Sequence, residues 1–165
     1  MPHSPSIIAN AFLHACQGRG IKLDHLKLQK LVFFAHAWSL TLHGQSVVNE
    51  RPEAWSFGPV FDSIYQRLGG TKGRVTDLLK TFNPTSGKHE GLIPAVSDTA
   101  VWDMVNQVLE RYGDFTAGQL SSLGHEAGGP WETTRAACQL CIADEAIVAS
   151  YRQKLETDTA SPQSV

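Results

Sequence analysis

The feature that most constrains this chain of 165 residues is the stretch 25–43, HLKLQKLVFFAHAWSLTLH. Leu28, Leu31, Ala35, Trp38 and Leu42 recur every three or four residues and share one face of a helix. Leu26, Phe33, Ala37 and Leu40 form a second apolar stripe, which leaves one polar strip of His25, Gln29, His36, Ser39 and His43. A helix apolar around most of its circumference must be covered on several sides, so the spacing predicts a central core helix. Its length approaches a bilayer span, but Lys27 and Lys30 inside it are too costly in lipid, and the expectation is a soluble helix with no membrane.

The chain then changes period. Residues 53–57 alternate, with Ala54 and Ser56 on one side and Trp55 and Phe57 on the other, which predicts a short strand. Gly58-Pro59 ends it, and Pro59 suits the first position of a helix over 60–68. Aromatics mostly bury, so core packing is the first role for Trp55, Phe57 and Phe61. The functional version places one of them, with Gly58 and Pro59, in a groove or at an unpaired sheet edge that accepts a segment of another protein.

Around this block the signals are helical. Residues 1–5 read as frayed, Ser4-Pro5 starts a first helix that Gly18 and Gly20 end, and Asp24 caps the central helix. Residues 69–73 form a Gly-rich loop, 75–82 read as short helix or irregular structure, and 83–91 as an exposed loop. Helices follow over 98–112, from Thr116 through Leu123, over 131–137 and over 143–155. Residues 157–165, rich in Ser, Thr and Pro, read as a disordered tail. The expected fold is mainly α: one compact helical domain over 1–156 around the central helix 25–43, with one short strand or two-stranded β element near 53–57.

Composition narrows the function. A net charge of −2 and a pI near 6.4 give no electrostatic reason to expect nucleic acid. A helix-turn-helix regulator remains the alternative of a different class, but it needs a basic recognition helix, and 25–43 and 98–112 carry few cations. Cys138 and Cys141 form a CxxC without the preceding strand of a redox site or the further ligands of a zinc site, and read as small thiols facing a core. A thiol enzyme using them is a third reading. His14, His25 and His36 are spaced eleven residues apart, about 16 Å along a helix, too far for shared coordination. His125-Glu126 starts like a zinc-protease HExxH but lacks its second histidine. With no phosphate loop, dinucleotide fingerprint or nucleophile elbow, no catalytic, cofactor-binding or metal-binding residue is assigned, and the expectation is a protein that is not an enzyme. No charged segment followed by an apolar run opens the sequence, so no secretory signal is expected.

Two stretches carry a resemblance. KLQKLVFFAHAWSLTLHGQSV followed by EAWSFGPVFDSIYQRL resembles the signature of the SocA-like Panacea antitoxin domain family, in which phage-associated members also occur. Lys27 to Leu31, Gly44, Glu53, Ala54, Trp55, Gly58, Pro59, Val60 and Tyr65 stand in its places, with Phe33 where Tyr is usual. A second patch, Leu120 to Glu126 with Pro130-Trp131, resembles the family's L-S-x-L-T-H-x-x-x-P-W, with Gly124 in place of the Thr. The resemblance implies an antitoxin of the bacterial cytoplasm that binds and neutralises a cognate toxin protein. It does so by covering the toxin or, as a proteolytic adaptor, by delivering it to a ClpXP-type protease. The motif positions it nominates for partner binding are Lys27, Gln29, Lys30, Phe33, His36, Trp55, Phe57, Gly58, Pro59, Tyr65, His125 and Trp131. His125 and Trp131 have a second reading, fixing their loop against the core through backbone groups.

Overall fold

The central helix, α2 (His25–His43), is started by the Asp24 carboxylate, which accepts from the Lys27 N–H at 2.8 Å. It is stopped by Gly44, whose φ of 66° lets its N–H return to the Leu40 carbonyl. In this computed structural model, which describes residues 1–160, every residue of α2 from Lys27 to Leu40 is buried. The burial extends to much of the polar strip: Gln29, His36 and Ser39 are all buried. Four other helices and one strand cover α2: α1 (Pro5–Gln17), α4 (Thr99–Tyr112), α5 (Ala117–Gly124), α7 (Asp144–Ala160) and β2 (Gly58–Val60). With α3 (Asp62–Leu68) and α6 (Pro130–Ala136), the described residues form seven helices, and the fold is mainly α.

The core is closed by aromatic packing between distant elements. Phe34 stacks on Tyr112 with ring centroids 4.2 Å apart, and the Trp38 indole donates to the Tyr112 hydroxyl at 2.9 Å. Tyr151 of α7 meets both Phe33 and Trp38 edge to face. Burial pushes the Tyr151 phenol well above its ordinary pKa. Asn10 organises the irregular segment between α3 and α4. From full burial in α1 its side chain accepts from the Leu79 N–H and donates to the carbonyls of Leu79 and Leu92.

Several expectations change in detail. The helix predicted over 60–68 begins at Asp62, because Pro59 lies in β2 of a hairpin with β1 (Glu53–Trp55). Residues 83–91 are no loop but most of a second hairpin, β3 (Thr81–Asn83) with β4 (Lys88–Glu90). Residues 75–80 are irregular, as one of the two readings had it. His3 is tied down rather than frayed: its backbone bridges to Val47 and Asn49, and its ring lies 2.8 Å from the Asp98 carboxylate. The last helix continues to Ala160, overlapping the stretch read as a tail, while 161–165 lie outside the described residues.

Candidate functional site

The two motif stretches, 27–68 and 120–131, meet at one hairpin. β1 and β2 pair antiparallel with Ala54 opposite Pro59 and Trp55 opposite Gly58, leaving Ser56 and Phe57 at the tip. Proline is tolerated in β2 because its partner's polar groups are used elsewhere. The Ala54 N–H donates to the Leu140 carbonyl, and the Ala54 carbonyl accepts from Arg135 at 2.9 Å. Those bonds, with Ile142 N–H to the Pro52 carbonyl, cover the outer edge of β1. The edge expected to be open to strand addition is thus occupied by the segment 140–142.

The central helix holds the other side of the hairpin through side chains. Lys30, with no exposed surface, donates from Nζ to the carbonyls of Phe57 at 2.6 Å and Pro59 at 3.1 Å. Burial lowers its pKa to about 7. Gln29 brackets Phe61 by giving its amide N–H to that residue's carbonyl and accepting from its N–H. Lys27, one turn earlier in α2, donates instead to the Gly113 carbonyl at 2.6 Å, where a cation meets the C-terminus of α4.

The second motif patch closes over the hairpin tip. Ser121 donates to the Phe57 carbonyl at 3.2 Å, and the Trp131 indole donates to the Trp55 carbonyl at 2.6 Å. The His125 ring stands edge-on to Trp131 at 4.2 Å. The backbone partner expected for the Trp131 indole is present. The imidazole has none: Nδ1 lies 3.4 Å from the Ser121 hydroxyl, and Nε2 is buried without a partner among the described residues. Gly124 has a local reason, since a Cβ there would lie 3.2 Å from the Pro59 ring. Ser121 and Arg135, not singled out in the sequence, prove to be part of the clamp. Ser121 stood inside the matched patch, whereas nothing in the sequence marked Arg135.

The nominated partner-binding positions thus separate by depth. Lys27, Gln29, Lys30, Phe33, His36, Gly58 and Pro59 are buried, so their burial leaves them no direct contact with a partner in this conformation. Trp55, His125 and Trp131 are half-buried, while Phe57 and Tyr65 are exposed by 64% and 40%. Trp55 packs edge-on against Tyr65 at 4.7 Å and gives its indole N–H to the Glu53 carboxylate at 2.5 Å. Together with His25, Leu26, Gln29 and Val60 these rings line an apolar groove of about 240 Å³.

Two other arrangements bear on chemistry. Ser46, His36 and Asp144 line up in the order of a hydrolytic triad, with the Ser46 hydroxyl 3.0 Å from His36 Nδ1 and Asp144 3.4 Å from Nε2. The Ser46 hydroxyl, however, donates to the Val48 carbonyl, so it accepts from the ring instead of losing a proton to it. The contact places the turn after α2 beside the start of α7. Cys138 and Cys141 do not face a core as expected: both are exposed, and only Cys16 is buried. The bonds of Cys138 N–H and Gln139 N–H back into α6 end that helix, and Cys141 follows in a bridge to Glu53. Neither candidate recognition helix offers a row of cations for phosphates. Lys27 and Lys30 of α2 point inward, and Arg111 of α4 lies over Trp38 and pairs with Asp158.

Among known proteins, the family model "Antitoxin SocA-like, Panacea domain" matches residues 28–132, from α2 through the start of α6. The protein Antitoxin SocA of Caulobacter vibrioides is 32% identical over 153 residues, covering 88% of this chain and 80% of that one. No solved structure matches the chain. No helix among the described residues is long and apolar enough to cross a membrane.

Proposed function

This chain belongs to the SocA-like antitoxin family built on the Panacea domain, and from that premise we propose that it is the antitoxin of a bacterial toxin–antitoxin pair. Residues 1–156 act as one binding unit in the cytoplasm and neutralise a cognate toxin protein by direct stoichiometric binding, without catalysis. The observation that carries the binding reading is the exposed aromatic tip of the hairpin. Phe57 is 64% exposed on a main chain fixed from below by Lys30 and Ser121, beside a Trp55 carbonyl held by Trp131. A large apolar side chain left in water contributes little to the fold, and a main chain already fixed lowers the entropy lost when a partner covers it.

Cover of the toxin's working surface is preferred to delivery to a ClpXP-type protease, because cover needs one surface and delivery needs two. The test is co-expression with the product of the neighbouring gene under separate promoters, followed by inhibition of the purified toxin at increasing molar ratio with no protease present. Neutralisation complete near equimolar antitoxin supports direct cover. Rescue in cells that vanishes in the purified mixture and in a protease-deficient strain assigns the adaptor mechanism. A neighbour that is harmless and does not co-purify overturns the antitoxin reading.

A further inference from the structure

Two properties of the hairpin groove define what it accepts. The first is its lining: Leu26 and Val60 with the rings of Trp55, Phe57 and Tyr65, and no formal charge. Burial holds the His25 imidazole below its ordinary pKa, against an opposing pull from Asp24, so it too is neutral at pH 7. Its volume of about 240 Å³ lies below the roughly 300–1,000 Å³ of small-molecule pockets. It suits one or two apolar side chains of a protein segment better than a free ligand.

The second property is the rim. Asp24 caps the helix immediately before His25, Glu53 holds the Trp55 indole, and Asp62 lies one helical turn before Tyr65. None of these carboxylates has a cation within 4.0 Å among the described residues. Lys27 and Lys30 are turned inward onto carbonyls, and Lys22 and Arg51, exposed on neighbouring loops, pair with none of the three. A neutral apolar groove bordered by unpaired acids is complementary to an apolar side chain flanked by lysine or arginine.

Taking the antitoxin reading as its basis, we infer that this groove is the toxin-docking site and that it takes a basic segment of the toxin carrying a leucine or aromatic anchor. The anchor side chain fills the space between Phe57 and Tyr65. The adjacent cations meet Glu53 and Asp62, which act on the rate of encounter more than on the final affinity.

The test uses the full chain and the neighbouring gene's product purified as a complex. Phe57→Ser removes a mostly exposed ring and Tyr65→Ser a partly exposed one that packs on Trp55, and circular dichroism and thermal unfolding establish that each variant folds before binding is compared. Each is expected to weaken binding by 10-fold or more, whereas Phe82→Ser, at an exposure between theirs on the second hairpin, leaves it within twofold. Asp62→Lys is expected to slow association several-fold with little change in dissociation. Peptides tiling the partner would yield a binder with a Leu or aromatic residue next to Lys or Arg. If the wild-type chain neutralises its partner while Phe57→Ser and Tyr65→Ser bind within twofold of it, the groove assignment falls and the antitoxin reading stands. A bound peptide that is acidic overturns the chemistry assigned to the groove. If the wild-type chain neither binds nor neutralises, both readings fall together.

Discussion

The Lys30 ammonium occupies the space that a side chain on Gly58 would need. A Cβ built at residue 58 lies 2.5 Å from Lys30 Nζ, and Gly58 itself has φ of +100°, where L side chains are strained. The two residues therefore form one device. Glycine clears the path along which the buried amine reaches the Phe57 and Pro59 carbonyls, and the amine holds the hairpin tip in place.

Gly58→Ala accordingly carries two costs, backbone strain and displacement of Lys30 from carbonyls that burial has cut off from water. We expect a loss of about 2–4 kcal/mol in chemical denaturation, from strain of order 1–3 kcal/mol plus a weakened hydrogen bond. An unchanged midpoint would mean that the lysine relocates freely.

Lys30 also predicts a pH dependence. Its folded pKa of about 7 lies below the ordinary 10.5, so between these values the unfolded chain binds a proton the folded chain has lost. Stability contributed by this group therefore rises with pH from about 7 towards 10.5, at up to about 1.4 kcal/mol per unit, and the burial penalty is fully present below 7. Tyr112 and Tyr151, raised by burial, act oppositely once unfolded tyrosines ionise near 10, so the measurement belongs between pH 7 and 9.5. Urea denaturation across that range should show the stability of the wild type rising with pH relative to that of Lys30→Met. Parallel curves would contradict the depressed pKa.

Much of this arrangement could be read from the sequence, and the part that could not has a physical cause. The spacing of Leu28, Leu31, Ala35 and Trp38 identified the central helix because an apolar period survives whatever packs against it. The burial of Lys30 and Gln29 was not legible, since a polar residue on a helix reads as solvated unless its partner is known, and here the partners are carbonyl and amide groups about thirty residues away. Pro59 misled for a related reason: its suitability for a helix start is local, while its place in β2 depends on Arg135 and Leu140 supplying the partners of Ala54. The motif resemblance picked out positions that meet around the β1–β2 hairpin without telling which of them were buried.

The thiols give a direct check on the α6–α7 turn. Cys138 and Cys141 are exposed and Cys16 is buried, with burial raising its pKa. An aromatic disulfide reagent should titrate two thiols in the native protein and the third only on unfolding, and replacing Cys138 and Cys141 by Ser should change stability by less than about 0.5 kcal/mol. Only one fast thiol would place Cys138 or Cys141 inside.

The Ser46–His36–Asp144 contact predicts stability curves of different slope rather than catalysis. Because the Ser46 hydroxyl donates to Val48, the ring gives its Nδ1 proton to Ser46 and turns a bare Nε2 towards the Asp144 carboxylate, two lone-pair groups 3.4 Å apart. Burial lowers the His36 pKa, and Asp144 partly offsets it. A depressed histidine contributes stability that is present above its unfolded value of 6.5 and is lost as pH falls towards its folded pKa. Asp144→Asn removes the offset and supplies an amide N–H for the bare nitrogen. Relative to wild type, it should be as stable or slightly more so at pH 8, then lose stability faster on acidification. His36→Asn in the same background should abolish that extra acid loss, whereas an Asp144→Asn curve parallel to wild type from pH 8 to 5 would show that the two side chains are not electrostatically linked.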